Sequence, residues 1–291
     1  MLVLSEIKNL LKLYSVKPSK AKGQNFLIAE NVLAKIVNSA DLDKNDFVIE
    51  IGPGLGILTQ ELVKNCKKVL AVELDKQLIY FLKNRFKGVK NLEILEGDIL
   101  KFKNSDLIKK LGGEGKYKIV ANLPYSITKP VIRKFLTYLP RPQAMVVLVQ
   151  KEVAQKITAK SGKLNLLGLS VQFYGQPEIM GLVEKENFYP QPEVESAILK
   201  IKVRQGRLPQ EVEQVLAEDK ISSFQEKKFW QLIKIGFSSP RKQLQNNLAT
   251  GLKLSNLSVK NKLKECGLKE EIRAQDLNLR DWACLYLKFV V

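Results

Sequence analysis

The tetrapeptide Asn122-Leu123-Pro124-Tyr125 carries groups suited to substitution at the exocyclic amine of an adenine. That amine is a poor nucleophile because its lone pair is delocalised into the ring. Acceptors that hold its N–H groups out of the ring plane draw the nitrogen towards tetrahedral geometry and expose the lone pair. The side-chain oxygen of Asn122 is one such acceptor, and the backbone carbonyl of Leu123 is a second. Pro124 has a fixed φ and restricts Leu123 as well. Tyr125 offers a ring face on which an extruded base can stack, worth roughly 1–3 kcal/mol in nucleic-acid systems. Phe188, in a Phe-Tyr-Pro segment, is a candidate for the other face of the base. A strand-end Asn before a Pro turn is also a common structural feature, and an edge-strand Phe is commonly core. The types alone leave both readings open.

The second cluster is a glycine turn, Glu50-Ile51-Gly52-Pro53-Gly54-Leu55-Gly56. Glycines there allow a sharp turn and close approach of a ligand to main chain. Such turns serve NAD, FAD and S-adenosylmethionine alike. Two acids narrow the choice. Glu73 closes the next strand, where a carboxylate accepts from both ribose hydroxyls, and Asp98, in Glu96-Gly97-Asp98, can accept from an adenine amine. The spacing does not complete GxGxxG, so an adenosyl sulfonium donor is preferred over a dinucleotide. Such a donor is already activated, so no side-chain base is demanded. A chain with no histidine suits that chemistry and excludes imidazole bases, Ser-His-Asp triads and His-ligated metals.

These residues need strand ends to hold them. Apolar runs at 47–51, 69–74, 92–95, 119–122 and 145–150 read as strands. Amphipathic stretches at 57–63, 76–86, 130–139 and 152–158 read as helices between or after them. A helix and loop over 103–116, with Gly112-Gly113, crosses to the fourth strand. Alternation of this kind predicts an α/β, Rossmann-like, mostly parallel sheet. Segments 169–174 and 197–203 are expected to be strands paired antiparallel at the sheet edge. Beyond about Gln205 the helical period dominates. The expected domains are therefore 1–204, the catalytic α/β domain, and 205–291, a small helical domain.

Lys and Arg total 48 against 30 acidic residues, a formal net charge of +18 and a pI near 9.6. The excess favours a polyanion, nucleic acid first, although lysine-rich surfaces also arise without one. Three cysteines without CxxC spacing imply neither a disulfide framework nor a metal site, and reduced thiols are expected. No apolar run is long enough to span a bilayer, and the N-terminus lacks a signal-peptide core. A soluble, cytoplasmic monomer is expected.

Taken together, the motifs resemble the KsgA/RsmA family of ribosomal RNA adenine dimethyltransferases. Lys22-Gly23-Gln24-Asn25-Phe26-Leu27 is similar to that family's first cofactor motif. VIEIGPGLGILT from Val48, Val72-Glu73-Leu74-Asp75, Glu96-Gly97-Asp98, Asn122 to Tyr125, Gln150-Lys151-Glu152-Val153-Ala154 and FYPQPEVESA from Phe188 follow in family order. Gly236-Phe237-Ser238-Ser239-Pro240-Arg241-Lys242 with Asn246-Asn247-Leu248 resembles the helical domain's basic motif. The resemblance implies S-adenosylmethionine-dependent N6,N6-dimethylation of two adjacent adenosines in the 3′-terminal hairpin of 16S ribosomal RNA, on an assembling small subunit. It implies cofactor contacts from Gln24, Asn25, Leu27, Gly52, Gly54, Glu73, Leu74, Asp98, Ile99 and Asn122. Catalysis falls to Asn122, Leu123, Pro124, Tyr125 and Phe188, and RNA contacts to Arg241 and Lys242.

The sequence departs from the pattern at Ala29, where an acid is usual, and at Pro240, where a second arginine is usual. An Asn165-Leu166-Leu167-Gly168-Leu169-Ser170 run replaces the usual Tyr-Gly-Arg-Leu-Ser. Two other readings remain. An Erm-type 23S RNA dimethyltransferase would carry a Ser-Gly-Lys-like turn at Pro53-Gly54-Leu55 and Ile in place of Leu123. A non-catalytic RNA-binding assembly factor would not need Glu73, Asp98, Asn122 and Tyr125 all intact.

Overall fold

The computed structural model describes residues 4–14, 18, 23–112, 115–219 and 224–290. Lys22 and Gly113, singled out above, lie outside them. Two compact units divide the chain: Met1–Gln155 with Gly175–Gln205, and Lys156–Tyr174 with Gly206–Val291. The second unit thus draws in a segment that the sequence placed before residue 204.

In the first unit, helices α1 (Leu4–Leu13) and α2 (Glu30–Ser39) flank the short strand β1 (Phe26–Leu27). An alternating series follows: β2 (Phe47–Ile51), α3 (Ile57–Asn65), β3 (Lys68–Glu73), α4 (Lys76–Arg85), β4 (Leu92–Glu96), α5 (Asn104–Leu111), β5 (Lys118–Asn122), α6 (Thr128–Thr137), β6 (Ala144–Gln150) and α7 (Lys151–Ile157). Strands β2 to β6 pair in parallel. The central ones are continuous apolar runs because helices cover both faces, and Val48, Ile49, Val69, Leu70, Ile119, Val120, Val146 and Val147 are buried. The chain closes with β7 (Gly175–Val183), β8 (Phe188–Tyr189) and β9 (Ser196–Val203). The seven-stranded sheet runs β4-β3-β2-β5-β6-β9-β7, and β1 pairs with β8 apart from it. Strand order reverses at β2, so the crevice beyond the carboxyl ends of β2 and β5 is where such sheets bind ligands.

One expectation fails. Residues 169–174 are not a strand but the last six residues of helix α8 (Leu166–Tyr174), in the second unit. An apolar run of this length fits a buried helix as well as a strand, and local caps decide. The Asn165 side-chain oxygen accepts from Gly168 N at 3.0 Å, and its carbonyl accepts from Leu169 N at 2.9 Å. Phe173 and Tyr174 then enter an aromatic cluster with Phe224, Phe229 and Trp230. The strand that pairs antiparallel with β9 is instead β7. Its Gly175, Pro177 and Gly181 obscure it in the sequence, yet an edge strand tolerates Pro.

The remaining helices of the second unit are α9 (Gln210–Glu218), α10 (Glu226–Gly236), α11 (Leu244–Leu252), α12 (Asn256–Glu265) and α13 (Leu279–Val290). Their apolar stripes close around Trp282, Leu285, Phe229 and Leu248, all buried. The expectation of reduced thiols is corrected here: Cys266 and Cys284 are disulfide-bonded. Cys266 caps the end of α12 and Cys284 lies in α13, which packs against it. Sequence spacing cannot register a pair made by helix packing. Cys66 is free and buried, and burial pushes its thiol up to about 12, so it is inert. Among the described residues no helix is long and apolar enough to cross a membrane.

Candidate active site

The carboxyl ends of β2, β3 and β5, with the turn after β4 and the strand β1 segment, enclose a cleft of about 330 Å³. Gln24, Asn25, Leu27, Gly52, Gly54, Glu73, Leu74, Asp98, Ile99, Asn122, Leu123, Pro124 and Tyr125 all line it. Residues far apart in sequence meet because a parallel sheet puts every strand end on one side. The glycine turn has a steric reason. Gly54 sits at φ +57, and a Cβ there would lie 3.0 Å from the Phe26 ring.

Glu73, Asp98 and Glu50 are among the carboxyls that line this cleft. Glu73 is fixed by backbone donors: Leu74 N at 2.8 Å and Asp75 N at 3.0 Å to Oε1, and Gly54 N at 3.3 Å to Oε2. Burial raises its pKa, and these donors pull it back. Oε2, with one long bond, keeps acceptor capacity for a diol. Asp98 is held by Leu100 N, which donates to Oδ1 at 2.9 Å. Glu50 is 1% exposed and accepts from the Thr59 hydroxyl at 2.6 Å. Burial pushes it up to about 8, so at neutral pH it is largely a neutral acid.

The tetrapeptide is held at every residue. Asn122 Nδ2 donates to the Asn25 carbonyl at 3.0 Å. That bond turns the amide NH₂ towards Asn25 and leaves Oδ1 as the side chain's acceptor. Leu123 is 2% exposed, and its N–H donates to the Leu148 carbonyl at 3.2 Å, extending the ladder past the strand end. The Pro124 carbonyl accepts from Ile127 N at 3.1 Å and Thr128 Oγ1 at 3.3 Å. The half-buried Tyr125 shares a 2.6 Å hydroxyl–hydroxyl bond with Ser196. Burial raises its phenol pKa, so it stays neutral and is no base.

Phe188 is not brought to this cleft. It is 3% exposed and part of the hydrophobic core, because β8 pairs with β1 through Leu27↔Phe188. A ring so enclosed offers no face to a base in this structure. Arg241 and Lys242 belong to the second unit and are exposed, in the turn between α10 and α11. Sequence reasoning missed four contributors: the Asn25 carbonyl, Glu50, Thr128 and Ser196. Glu50 and Ser196 lay inside quoted motifs, but nothing in their types announced a partner. A carbonyl has no sequence signal at all.

A family model described as "Ribosomal RNA adenine dimethylase" matches residues 17–288. The chain is 42% identical over 287 residues to "Ribosomal RNA small subunit methyltransferase A" of Dehalococcoides mccartyi (strain CBDB1), covering 99% of this chain and 94% of the relative. It is 37% identical over 281 residues to the protein of the same name from Clostridioides difficile (strain 630), covering 96% and 93%. Among solved structures, a dimethyladenosine transferase from Plasmodium falciparum aligns with a TM-score of 0.68 at 25% identity, covering 91% of this chain and 97% of that one. The 23S rRNA methyltransferase ErmE aligns at 0.70 with 22% identity, over 91% and 99%, a likeness of fold alone.

Proposed function

The chain belongs to the ribosomal RNA adenine dimethylase family, and we propose from that premise that it dimethylates N6 of two adjacent adenosines in the 3′-terminal hairpin of 16S ribosomal RNA, on the assembling small subunit in the cytoplasm. The donor is S-adenosylmethionine, which when bound supplies an electrophilic methyl on sulfonium. The lining of the cleft supports it: Glu73 would accept from ribose hydroxyls, Asp98 from the donor's adenine amine, and the Gly52 and Gly54 turn would admit close main-chain approach.

One observation carries the reading most directly. The Asn122 amide donates through Nδ2 to the Asn25 carbonyl, which supports reading Oδ1 as the acceptor for a target N–H. The Leu123 carbonyl is the second acceptor, and the Tyr125 ring supplies the stacking face. In the first transfer both N–H groups are held, and in the second the one that remains, so that the nitrogen lone pair is turned out of conjugation. The proton released after transfer goes to water, since neither the neutral Tyr125 phenol nor Asn122 is a base. Arg241 and Lys242 contribute phosphate contacts that hold the RNA.

The test is transfer of a tritiated methyl group from S-adenosylmethionine to small subunits lacking the modification, followed by primer extension across the 3′ hairpin. Label in small-subunit RNA with a polymerase stop at the two adenosines is expected. Label confined to large-subunit RNA would favour an Erm-type activity. S-adenosylmethionine binding with no label in either would leave a binding protein.

A further inference from the structure

Tyr125 ends in a hydroxyl that stacking does not require, since a phenylalanine ring presents the same π-face. That hydroxyl is bonded at 2.6 Å to Ser196, a side chain 0% exposed on a strand distant in sequence. We infer that Ser196 is a positioning residue for methyl transfer: its hydroxyl anchors the far end of Tyr125 and so fixes the plane in which the target base lies. The inference rests on the reading of Tyr125 as the stacking face.

The geometry makes Ser196 a rigid anchor. It is the first residue of β9 and is paired on both sides, to Gln150 of β6 and to Val183 of β7. The ladder continues past it, because Lys151 N donates to the Glu195 carbonyl at 2.9 Å. The amine acceptor is tied to the same strand: Asn122 pairs with Leu148 of β6. Leu148 and Gln150 are two residues apart along one strand, a separation of roughly 6.6 Å. A single strand therefore sets both the acceptor that grips the amine and the post that tilts the ring. Drawing the lone pair out of conjugation depends on the angle between those two, the base plane and the N–H acceptors.

The other end of Tyr125 is constrained by the backbone. Gly23, at φ +64, packs so closely that a Cβ there would lie 3.2 Å from Tyr125 N. The backbone at the root of Tyr125 is thus closely packed against Gly23, and the tip of the ring is bonded to Ser196. Loss of the tip leaves the side chain free to swing about χ1 and χ2 at a barrier of ordinary rotamer size.

A plain buried hydrogen bond would also place these atoms together, and the experiment separates the two accounts. Ser196→Ala, Tyr125→Phe and the double variant are compared with wild type for kcat and KM on hypomethylated small subunits, for S-adenosylmethionine affinity by calorimetry, and for Tm. Anchoring predicts about a tenfold loss of kcat in each single variant, with KM and cofactor Kd within about twofold. The double variant should be no slower than Tyr125→Phe alone, because one bond cannot be removed twice. Wild-type kcat in Ser196→Ala, or multiplied losses of about a hundredfold in the double variant, would overturn the inference. A crystal structure of Ser196→Ala supplies a readout independent of substrate. A displaced Tyr125 ring is expected, and an unmoved ring overturns the anchor whatever RNA the enzyme takes. Wild type that labels no small-subunit RNA would refute the proposed function instead.

Discussion

The two units use different physics to hold the residues proposed to act. In the sheet unit each group sits at or just beyond a strand end and is fixed by polar bonds: Asn122 to Asn25, Glu73 to three backbone N–H groups, Tyr125 to Ser196. In the helical unit the basic residues Arg241 and Lys242 are exposed in a turn. That turn is held by buried Asn247, whose Nδ2 donates to the Gly236 carbonyl at 2.6 Å and the Ser239 carbonyl at 3.1 Å. The first arrangement places single atoms to within a bond length. The second presents charge on a scaffold. Substitutions in the first should therefore act on kcat with binding preserved, and those in the second on binding or stability with kcat preserved.

The largest effect tests the first half of that contrast. Asn122→Ala removes the amide acceptor while leaving the cleft's acids in place. Transfer should fall by roughly 10²–10³-fold, the scale seen when one preorganised polar partner is removed. S-adenosylmethionine affinity should stay within about tenfold, ~1.4 kcal/mol. Full activity in this variant would remove the amine-positioning argument and, with it, the distinction between the units.

That residue also marks how much could be read beforehand. Asn122, Glu73 and Asp98 were legible because parallel-strand ends bring together acids and amides whose sequence positions alternate with apolar runs. Helix α8 was not, since a short run of apolar and small residues fits either period and the deciding caps lie in Asn165. Phe188 is buried in the core beside β1 and does not line the cleft, a placement its residue type could not show. The anchoring bonds of Asn25 and Ser196 were invisible for a common reason. A backbone carbonyl and a serine acquire a role only from what the fold sets against them.

The second effect concerns the helical unit's scaffold. Cys266 and Cys284 close a loop with a sequence separation of 18, for which restriction of the unfolded chain predicts a stabilisation on the order of 3 kcal/mol. Paired Cys266→Ser and Cys284→Ser substitutions should lower the unfolding free energy of this unit by about that amount, read by urea denaturation against the oxidised wild type. The rate of methyl transfer at saturating RNA, below the transition, should be unchanged. A fall in kcat there would show that the units are not separable in function.

A further effect, in the sheet unit, depends on pH. Folding raises Glu50 from its ordinary 4.5 to about 8 by burial. Between those values the folded chain keeps a proton that the unfolded chain has released. The stability from the buried neutral acid is thus complete below pH 4.5 and is lost as pH rises towards 8. Glu50→Gln keeps an acceptor for the Thr59 hydroxyl and removes the titration. Its Tm should match wild type near pH 4.5 and exceed it by a growing margin as pH rises towards 8. Equal Tm values across the range would mean that Glu50 is ionised in the folded protein. The buried carboxyl would then be a charged component of the cleft.

The smallest effect decides whether the basic turn acts as the contrast requires. Each lysine or arginine that pairs with a phosphate releases condensed counterion, so the logarithm of affinity falls with the logarithm of salt in proportion to the number of phosphates neutralised. Replacing Arg241 and Lys242 together with Ala should weaken binding to small-subunit RNA and flatten that slope by about 1 for each phosphate left unpaired. Asn247→Ala leaves both charges but removes the bonds that shape the turn. Were bulk charge the whole effect, given a net +18, the Asn247 variant would bind as wild type does. A turn that must be presented in one shape instead predicts weaker binding with an intermediate slope. In neither case should kcat at saturating RNA change, because no group in this turn lines the cleft that holds Asn122.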